Sequence, residues 1–345
     1  MLYNGLCKLQ KAIREHVMNI ETVSKLRGET LNRWIALMKA SGLDHNTRTE
    51  RTVLVWDGDE LIASGGRDGG ILKMLAVSPT RQGEDLLSTV LTELKKDAFE
   101  EGHTHLFLYT KPSNKLIFKS LFFYPVAETE NVLVMENKRD GIKSFVSELP
   151  KDVDSKLSGA IVMNCNPFTL GHRYLIEKAA SECDRVYVFV LSEEGNGFSA
   201  KDRLAMVKLG TADLKNVTVL QTGPYMISAA TFPTYFLKDR DLADTVHCDV
   251  DIEIFLKYLV PHLSISRRYV GTEPLSPMTN KYNEALKKKL PAAGVMLCEI
   301  ERKENCGIPI SASAVRRLAS EGNTEELKKI VPKTTYDYLI DNDLI

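Results

Sequence analysis

Gly159-Ala-Ile-Val-Met-Asn-Cys-Asn-Pro-Phe-Thr-Leu-Gly-His172 reads as an apolar strand that breaks at Asn166-Pro167 and enters a helix through Thr169-Leu-Gly-His172. The first turn of a helix leaves backbone N–H groups without partners and carries the positive end of the helix dipole. A hydroxyl and an imidazole beside such a turn make a seat for nucleotide phosphates. Working outward, Ala160 to Asn164 is the strand, His172 to Cys183 a helix with Leu175, Ile176, Ala179 and Ala180 on one face, and Arg185 to Leu191 a nearly continuous apolar strand. Ser199-Ala-Lys-Asp202 opens a helix running to Leu209. Asn216 to Gln221, Arg268 to Gly271 and Val295 to Ile300 add strands, and Ser311 to Ser320 a further helix. This alternation predicts an α/β domain with a Rossmann-like parallel sheet, right-handed crossovers and ligands at the carboxyl ends of the strands.

Upstream the pattern differs. Leu31 to Ala40 has the spacing of a short helix, Thr52 to Trp56 and Leu61 to Ser64 pair as a hairpin around Asp57-Gly58-Asp59, and Ile71 to Val77 is a strand. Asp85 to Glu101 is an amphipathic helix, His105 to Tyr109 a strand, Asn114 to Ser120 helical, and Val132 to Glu136 a closing strand. The charged stretch 141–157, with Pro150, reads as a linker between a mixed α/β domain over 1–140 and a parallel-sheet domain over 158–345.

A chain of 345 residues exceeds one ordinary core, which agrees with two domains. Apolar residues make up 43% and charged residues 26%, so the chain folds throughout. The net charge of -1, with lysine and arginine spread along the sequence, leaves no basic stripe for nucleic acid. Six cysteines without a C-x-x-C pair, and no basic leader before a long apolar run, predict a reducing, cytoplasmic setting. No apolar run approaches the roughly 20 residues that span a bilayer, so no membrane segment is expected.

Far along the chain, Ile310-Ser-Ala-Ser-Ala-Val-Arg316 opens a second helix. Together with Thr169-Leu-Gly-His172 it resembles the nucleotidyltransferase superfamily, whose members carry (H/T)-x-G-H after the first strand and Ile-Ser-x-Ser/Thr-x-x-Arg near the end. The resemblance implies attack by an oxygen nucleophile on the α-phosphate of a nucleoside triphosphate, with pyrophosphate leaving. Charge develops on phosphoryl oxygens and leaving group, so positioned donors and cations carry such a reaction. His172 can donate to the α- or β-phosphate, Thr169 can hydrogen-bond a phosphate oxygen, and Gly171 lets the backbone approach. Arg316 offers a planar fork to the β- and γ-phosphates. These three, His172, Thr169 and Arg316, are the expected catalytic residues. Asn164, Asn166 and Phe168 complete the nucleotide-binding turn, while Ser311 and Ser313 either cap their helix or touch phosphate. Lys201 is either a further phosphate cation or a solvated surface residue. Cys165 fills the strand end, and His247 and His262 read as structural or exposed. Asp251, in Asp249-Val-Asp-Ile-Glu253, reads as a helix cap before an amphipathic segment reaching Leu259, with a metal site as the alternative.

The first 135 residues resemble the GNAT acetyltransferase fold, on the strand, turn and helix of Val77-Ser-Pro-Thr-Arg-Gln-Gly-Glu-Asp-Leu-Leu87. In that family the turn reads Gln/Arg-x-x-Gly-x-Gly/Ala and its backbone amides hold the pyrophosphate of acetyl-CoA; Gln82 fits the first position, but the two small residues are absent. Here Asp85 and Leu87 stand in those places, a carboxylate repelling phosphate and a side chain blocking backbone approach, which predicts a docking or supporting domain. Asn164 to Ile176, Arg268 to Pro274, Thr279 to Asn283 and Pro309 to Arg316, behind a GNAT-like domain, together resemble the citrate lyase ligases. That resemblance implies an AMP-forming ligase. Acetate and ATP, with Mg²⁺, give acetyl-adenylate and pyrophosphate, and the acetyl group passes to the phosphoribosyl-dephospho-CoA thiol of the citrate lyase acyl carrier protein. Gly271-Thr-Glu-Pro-Leu-Ser-Pro277, with Asn280 and Asn283, either shapes the acetate or adenine pocket or is a surface loop. A free-standing adenylyltransferase acting on phosphopantetheine or a mononucleotide would use the same phosphate residues and remains the alternative.

Overall fold

The structure, a computed structural model, describes residues 18–47, 49–150, 156–194, 197–226, 232–237, 243–273 and 277–345. The chain divides into two compact units, one holding residues up to Gly141 with Pro233–Val246, the other Ile142–Phe232 and His247–Ile345.

In the first unit β1 (Asn19–Val23), β2 (Arg51–Asp57), β3 (Glu60–Asp68), β4 (Ile71–Val77), β5 (Phe107–Thr110), β6 (Tyr124–Glu128) and β7 (Leu133–Glu136) form one sheet in the order β1-β2-β3-β4-β5-β7-β6. All neighbours are antiparallel except β4 and β5, whose parallel pairing stops after Ile71 with Phe107 and Leu72 with Leu108. α1 (Gly28–Ala40), α2 (Leu86–Glu100) and the short α3 (Lys115–Ser120) accompany the sheet. Leu86, Val90, Leu91, Leu94 and Ala98 recur at helical spacing and are buried. α2 lies close over β3 because Gly65 is there: a Cβ would stand 2.6 Å from Val90 Cγ1 and 2.9 Å from Leu94 Cδ1. Arg67 on β3 is fully buried and reaches Asp97 at 2.5 Å and Glu101 at 2.6 Å on α2, while Arg51 takes Asp97 at 2.9 Å. This is the GNAT-like mixed α/β architecture expected from the sequence. β1 and β6 are the strands with no sequence signal. Both are sheet edges, one polar and exposed over most of its length and one interrupted by Pro125, so pairing rather than alternation makes them strands.

In the second unit β8 (Ser158–Met163), β9 (Arg185–Val190), β10 (Val217–Gln221), β11 (Ile265–Gly271) and β12 (Met296–Ile300) form an all-parallel sheet in the order β10-β9-β8-β11-β12. The chain works outward from β8 to β10, then crosses to β11 on the other side. The order therefore reverses between β8 and β11, which opens a crevice beyond their carboxyl ends. α5 (Leu170–Glu182) and α6 (Ala200–Gly210) follow β8 and β9. After β12 come the two-residue β13 (Glu304–Asn305) and β14 (Ile308–Pro309), then α10 (Ala312–Ser320), α11 (Thr324–Lys328) and α12 (Lys333–Asp341). Ile161, Ile176, Val188, Met206, Val315 and Leu339 meet in one core.

Two expectations are corrected. The stretch read as a linker begins with helix α4 (Gly141–Ser147), in which Ile142 and Val146, four residues apart, are buried and the Phe145 ring lies 5.2 Å from that of Tyr225. Its charged neighbours hide that short apolar face, and residues 151–155 lie outside the described residues. Asp251 caps nothing: it sits inside α7 (Ala243–Ile254), buried, and accepts from the Tyr282 hydroxyl at 2.5 Å. α7 continues through a π-helical turn, Phe255–Leu259, into α8 (Val260–Leu263). After Gly271, Thr272 and Glu273 lie in neither helix nor strand, residues 274–276 lie outside the described ones, and Pro277 begins helix α9 (Pro277–Lys289), which carries Asn280 and Asn283. No helix among the described residues is long and apolar enough to cross a membrane.

Arg67 tests the energetics of the first unit. Asp97→Ala leaves a buried guanidinium short of a partner and is expected to lower stability by about 3 kcal/mol in chemical denaturation, whereas Lys96→Ala, on the exposed side of α2, changes it by less than about 0.5 kcal/mol. Equal, small effects would show that Glu101 alone suffices.

Candidate functional site

The centre of the second unit's crevice is the turn from β8 to α5. Cys165 is buried and adopts a left-handed backbone at φ 52°, and the Asn166-Pro167 peptide is cis. Thr169 then caps α5, its hydroxyl accepting from the His172 backbone N–H at 3.3 Å. The exchange is reciprocal: the Thr169 backbone N–H donates to His172 Nδ1 at 3.1 Å, and the Thr169 hydroxyl lies 3.0 Å from that nitrogen. An Nδ1 that accepts from a backbone amide carries no proton, so the proton of the neutral ring resides on Nε2. Loss of water around the half-buried ring, and secondarily the Arg302 guanidinium, lower His172 to about 4. The site thus holds a neutral imidazole with one N–H to give. Phe168, fully buried, stacks on it with ring centroids 6.0 Å apart. Phe168 in turn packs where Gly210 ends α6, a Cβ there standing 2.4 Å from the ring.

The second motif closes on the first. Arg316, on the exposed side of α10, donates to the Asn166 backbone carbonyl. Gly171, in the first turn of α5, faces Ile310, the residue before the cap of α10, with a virtual Cβ 3.5 Å from the Ile310 carbonyl. Ser311 caps α10 by accepting from Ala314 N–H at 3.2 Å and lies 3.1 Å from the exposed Ser313 hydroxyl. Two helix starts far apart in the sequence therefore abut, the Arg316 side chain of one reaching the turn before the other. Asn164, Asn166, Phe168, Thr169, Gly171, His172, Ser311, Ser313 and Arg316 are all brought to this place. Gly271 ends the adjacent β11, its carbonyl accepting from the buried Asn283 at 3.0 Å. Asn280 is exposed on α9. Lys201 is exposed in the first turn of α6, where its charge acts on Asp202.

Four residues went unnoticed in the sequence. Arg203, 2% exposed, donates to the carbonyls of Phe198 at 3.2 Å, Asn164 at 3.0 Å and Glu193, and to the Asn164 side chain at 2.5 Å. It had a signal: Ala200, Arg203, Met206, Val207 and Gly210 share the buried face of α6. Arg302 follows β12 and folds back over β11, its Nε donating to the Thr272 carbonyl at 2.7 Å and its Nη2 to Glu273. The same segment reaches α5, because Lys303 stands 5.9 Å over the Tyr174 ring and its carbonyl accepts from Ile310 N–H at 3.1 Å. Glu194 places its carboxylate on the Ala200 N–H at the start of α6, at 3.1 and 3.3 Å. Arg173, adjacent to the motif, is spent elsewhere, gripping Asp213 at 2.7 and 3.0 Å.

An open parallel sheet whose reversal point joins a Thr-x-Gly-His helix start to a Ser-x-Ser-x-x-Arg helix start defines a nucleotidyltransferase-type α/β unit. Residues 158–339 match the family model described as the citrate lyase ligase C-terminal domain. The chain is 38% identical to the [citrate [pro-3S]-lyase] ligase of Klebsiella pneumoniae, over 92% of this chain and 93% of that protein. It is 39% identical to the one of Escherichia coli K12, over 86% of each. The chain belongs to the citrate lyase ligase family, and it is an enzyme of the ligase class. Among solved structures, a GNAT-family protein from Desulfovibrio desulfuricans is similar at 15% identity and a TM-score of 0.29, over 34% of this chain and 98% of that one.

His172 makes folding pH-dependent with a definite sign. Its folded value of about 4 lies below the ordinary 6.5, so the unfolded chain takes up the proton first. The contribution is complete above about 6.5 and is lost as the pH falls toward 4. His172→Gln keeps the reciprocal cap, which suits Gln at that position, and is expected to flatten this part of the stability-against-pH curve. Nitrogen chemical shifts of the ring should report protonated Nε2 and bare Nδ1 at neutral pH, and Arg302→Gln should move the titration upward.

Proposed function

We propose that this chain activates acetate with ATP and acetylates the prosthetic-group thiol of the citrate lyase acyl carrier protein, thereby activating citrate lyase. The observation that carries the reading is the meeting of the α5 and α10 starts, with the Nε2–H of His172 and the fork of Arg316 beside the same turn. An acetate oxygen attacks the α-phosphorus of ATP, a P–O bond forms, and the bond to pyrophosphate breaks. The carrier's thiolate then attacks the carbonyl carbon of the acetyl-adenylate, and AMP leaves with the electron pair of the C–O bond.

In this reading His172 donates from Nε2 to phosphate oxygens as they gain charge, and Thr169 holds the ring in the donating tautomer while adding its own hydroxyl. Gly171 presents bare backbone. Its neighbours would meet a Cβ only at ordinary contact distance, so the use of a glycine there lies in what approaches from the crevice. Arg316 takes the β- and γ-phosphates, Ser311 and Ser313 the helix-start side, and Asn164, Asn166 and Phe168 shape the nucleotide seat. Arg302, fixed by Thr272 and Glu273, faces the same space from the β11 side and offsets the repulsion between acetate and triphosphate. Mg²⁺ travels with the triphosphate, and water and phosphate supply most of its ligands. The whole-chain identity to proteins named citrate lyase ligases favours this reading over a free-standing adenylyltransferase.

Acetate-dependent exchange of labelled pyrophosphate into ATP tests it. Exchange is expected with acetate alone, and His172→Ala and Arg316→Ala should each lower its rate roughly 10²-fold in a folded protein, as loss of preorganised donors does. Exchange that ignores acetate but requires phosphopantetheine would reject the ligase reading.

A further inference from the structure

Arg203 fixes the orientation of one exposed side chain in the crevice. A guanidinium can only donate, so the Asn164 amide that meets Arg203 Nη1 at 2.5 Å turns Oδ1 toward it and Nδ2 away. The same Nη1 takes the Asn164 backbone carbonyl at 3.0 Å, and the other nitrogens of Arg203 hold the carbonyls of Phe198 and Glu193. The orienting group is itself buried, so the side chain and main chain of Asn164 are held together. Asn166 laces the same loops: its side chain accepts from the Phe198 N–H at 3.0 Å and its carbonyl accepts from Arg316. Asn164 nevertheless stands exposed, directly past Met163 at the carboxyl end of β8, where the strand order reverses. Cys165 after it is buried at φ 52°, a backbone that a residue other than glycine keeps only when its surroundings impose it. Among the described residues nothing accepts from Asn164 Nδ2.

A locked, uncharged donor suits one participant in the reaction better than the others. In the reading above the phosphates already have the Nε2–H of His172, the fork of Arg316 and two helix starts, and cations serve them better than a neutral amide. The acid makes a different demand. One of its oxygens must keep its electron density to attack phosphorus, while the other becomes the carbonyl oxygen of the mixed anhydride. An N–H bond to the second oxygen selects and aims the carboxylate and leaves the first oxygen nucleophilic. A full positive charge there would quench both oxygens and draw the triphosphate into the acid's place. The same donor serves the second half-reaction. When the thiolate adds to the carbonyl carbon, the electron pair of the C=O bond moves onto that oxygen, where an N–H stabilises it, and returns as AMP leaves.

We infer that Asn164 binds the acid: its Nδ2–H holds the acetate oxygen that becomes the acyl carbonyl, through both half-reactions, and Arg203 is the residue that positions it. The inference rests on the acetate-activation reading above and names the side chain by which the acid is held. Two variants of the full-length chain separate a donor from a mere anchor for Arg203. Asn164→Asp restores an acceptor to the guanidinium without an N–H, and Asn164→Ala removes both. In acetate-dependent pyrophosphate exchange both should raise the KM for acetate at least about tenfold, while the KM for ATP in Asn164→Ala stays within about twofold of wild type. Acetyl transfer to the citrate lyase acyl carrier protein from acetyl-adenylate supplied ready-made should fall roughly 10²-fold in both, as for loss of an oxyanion donor. The midpoint of urea unfolding should drop for Asn164→Ala and return toward wild type for Asn164→Asp, so the kinetic losses do not follow stability. A wild-type acetate KM in Asn164→Asp would overturn the inference and leave Asn164 an anchor. A rise in the ATP KM of Asn164→Ala equal to that for acetate would overturn it too, giving the amide to the nucleotide. In either case a wild type that exchanges only with acetate keeps the ligase reading; a wild type without such exchange loses that reading and the acid-binding role with it.

Discussion

The imidazole of His172 accepts at Nδ1 from the backbone of the residue that caps its own helix, and the chemistry of the crevice depends on that closure. Glu or Gln more often fills this place in a reciprocal cap. A carboxylate would repel phosphate and an amide would point both ways, whereas imidazole satisfies the backbone with one nitrogen and keeps the other, protonated, for the crevice. Burial then works in favour of the arrangement, because it removes the second proton that would break the cap. Much of the surrounding structure serves to hold this turn. Arg203 binds the backbone on both sides of it, Phe168 lies flat against the ring, and Gly210 leaves Phe168 the room to do so.

The parts of the molecule that were legible in the sequence are those in which one residue type answers one local demand. Thr169 and His172 declare a helix start, Ser311 another, and the continuous apolar runs at Ile161 and Val186 declare strands covered on both faces. What stayed hidden depends on partners remote in the chain. Arg302 is informative only once β11 lies beside it, since Thr272 and Glu273 are what orient it. Asp251 resembled a cap because helix starts favour Asp, yet its partner, Tyr282, comes from another helix. Arg203 is the instructive intermediate: its position on an apolar helical face was visible, but its four bonds to the strand-to-helix loops were not.

The first unit shows the same division. Its hairpin and long helix follow from alternation and helical spacing, and Asp85 and Leu87 in the turn before α2 were visible as departures from a phosphate-binding pattern. The parting of β4 from β5 has no signature in either strand, because each remains paired on its other side, with β3 and β7, and keeps an ordinary strand composition.

Three helix starts, those of α5, α10 and α6, border the turn after β8, where the Phe198 N–H donates to the Asn166 side chain at 3.0 Å. The third, that of α6, already carries the carboxylate of Glu194 on its first amide. The chain thus supplies its own counter-ion there: with a carboxylate already on that amide, the start of α6 attracts a further anion less than a helix start without one.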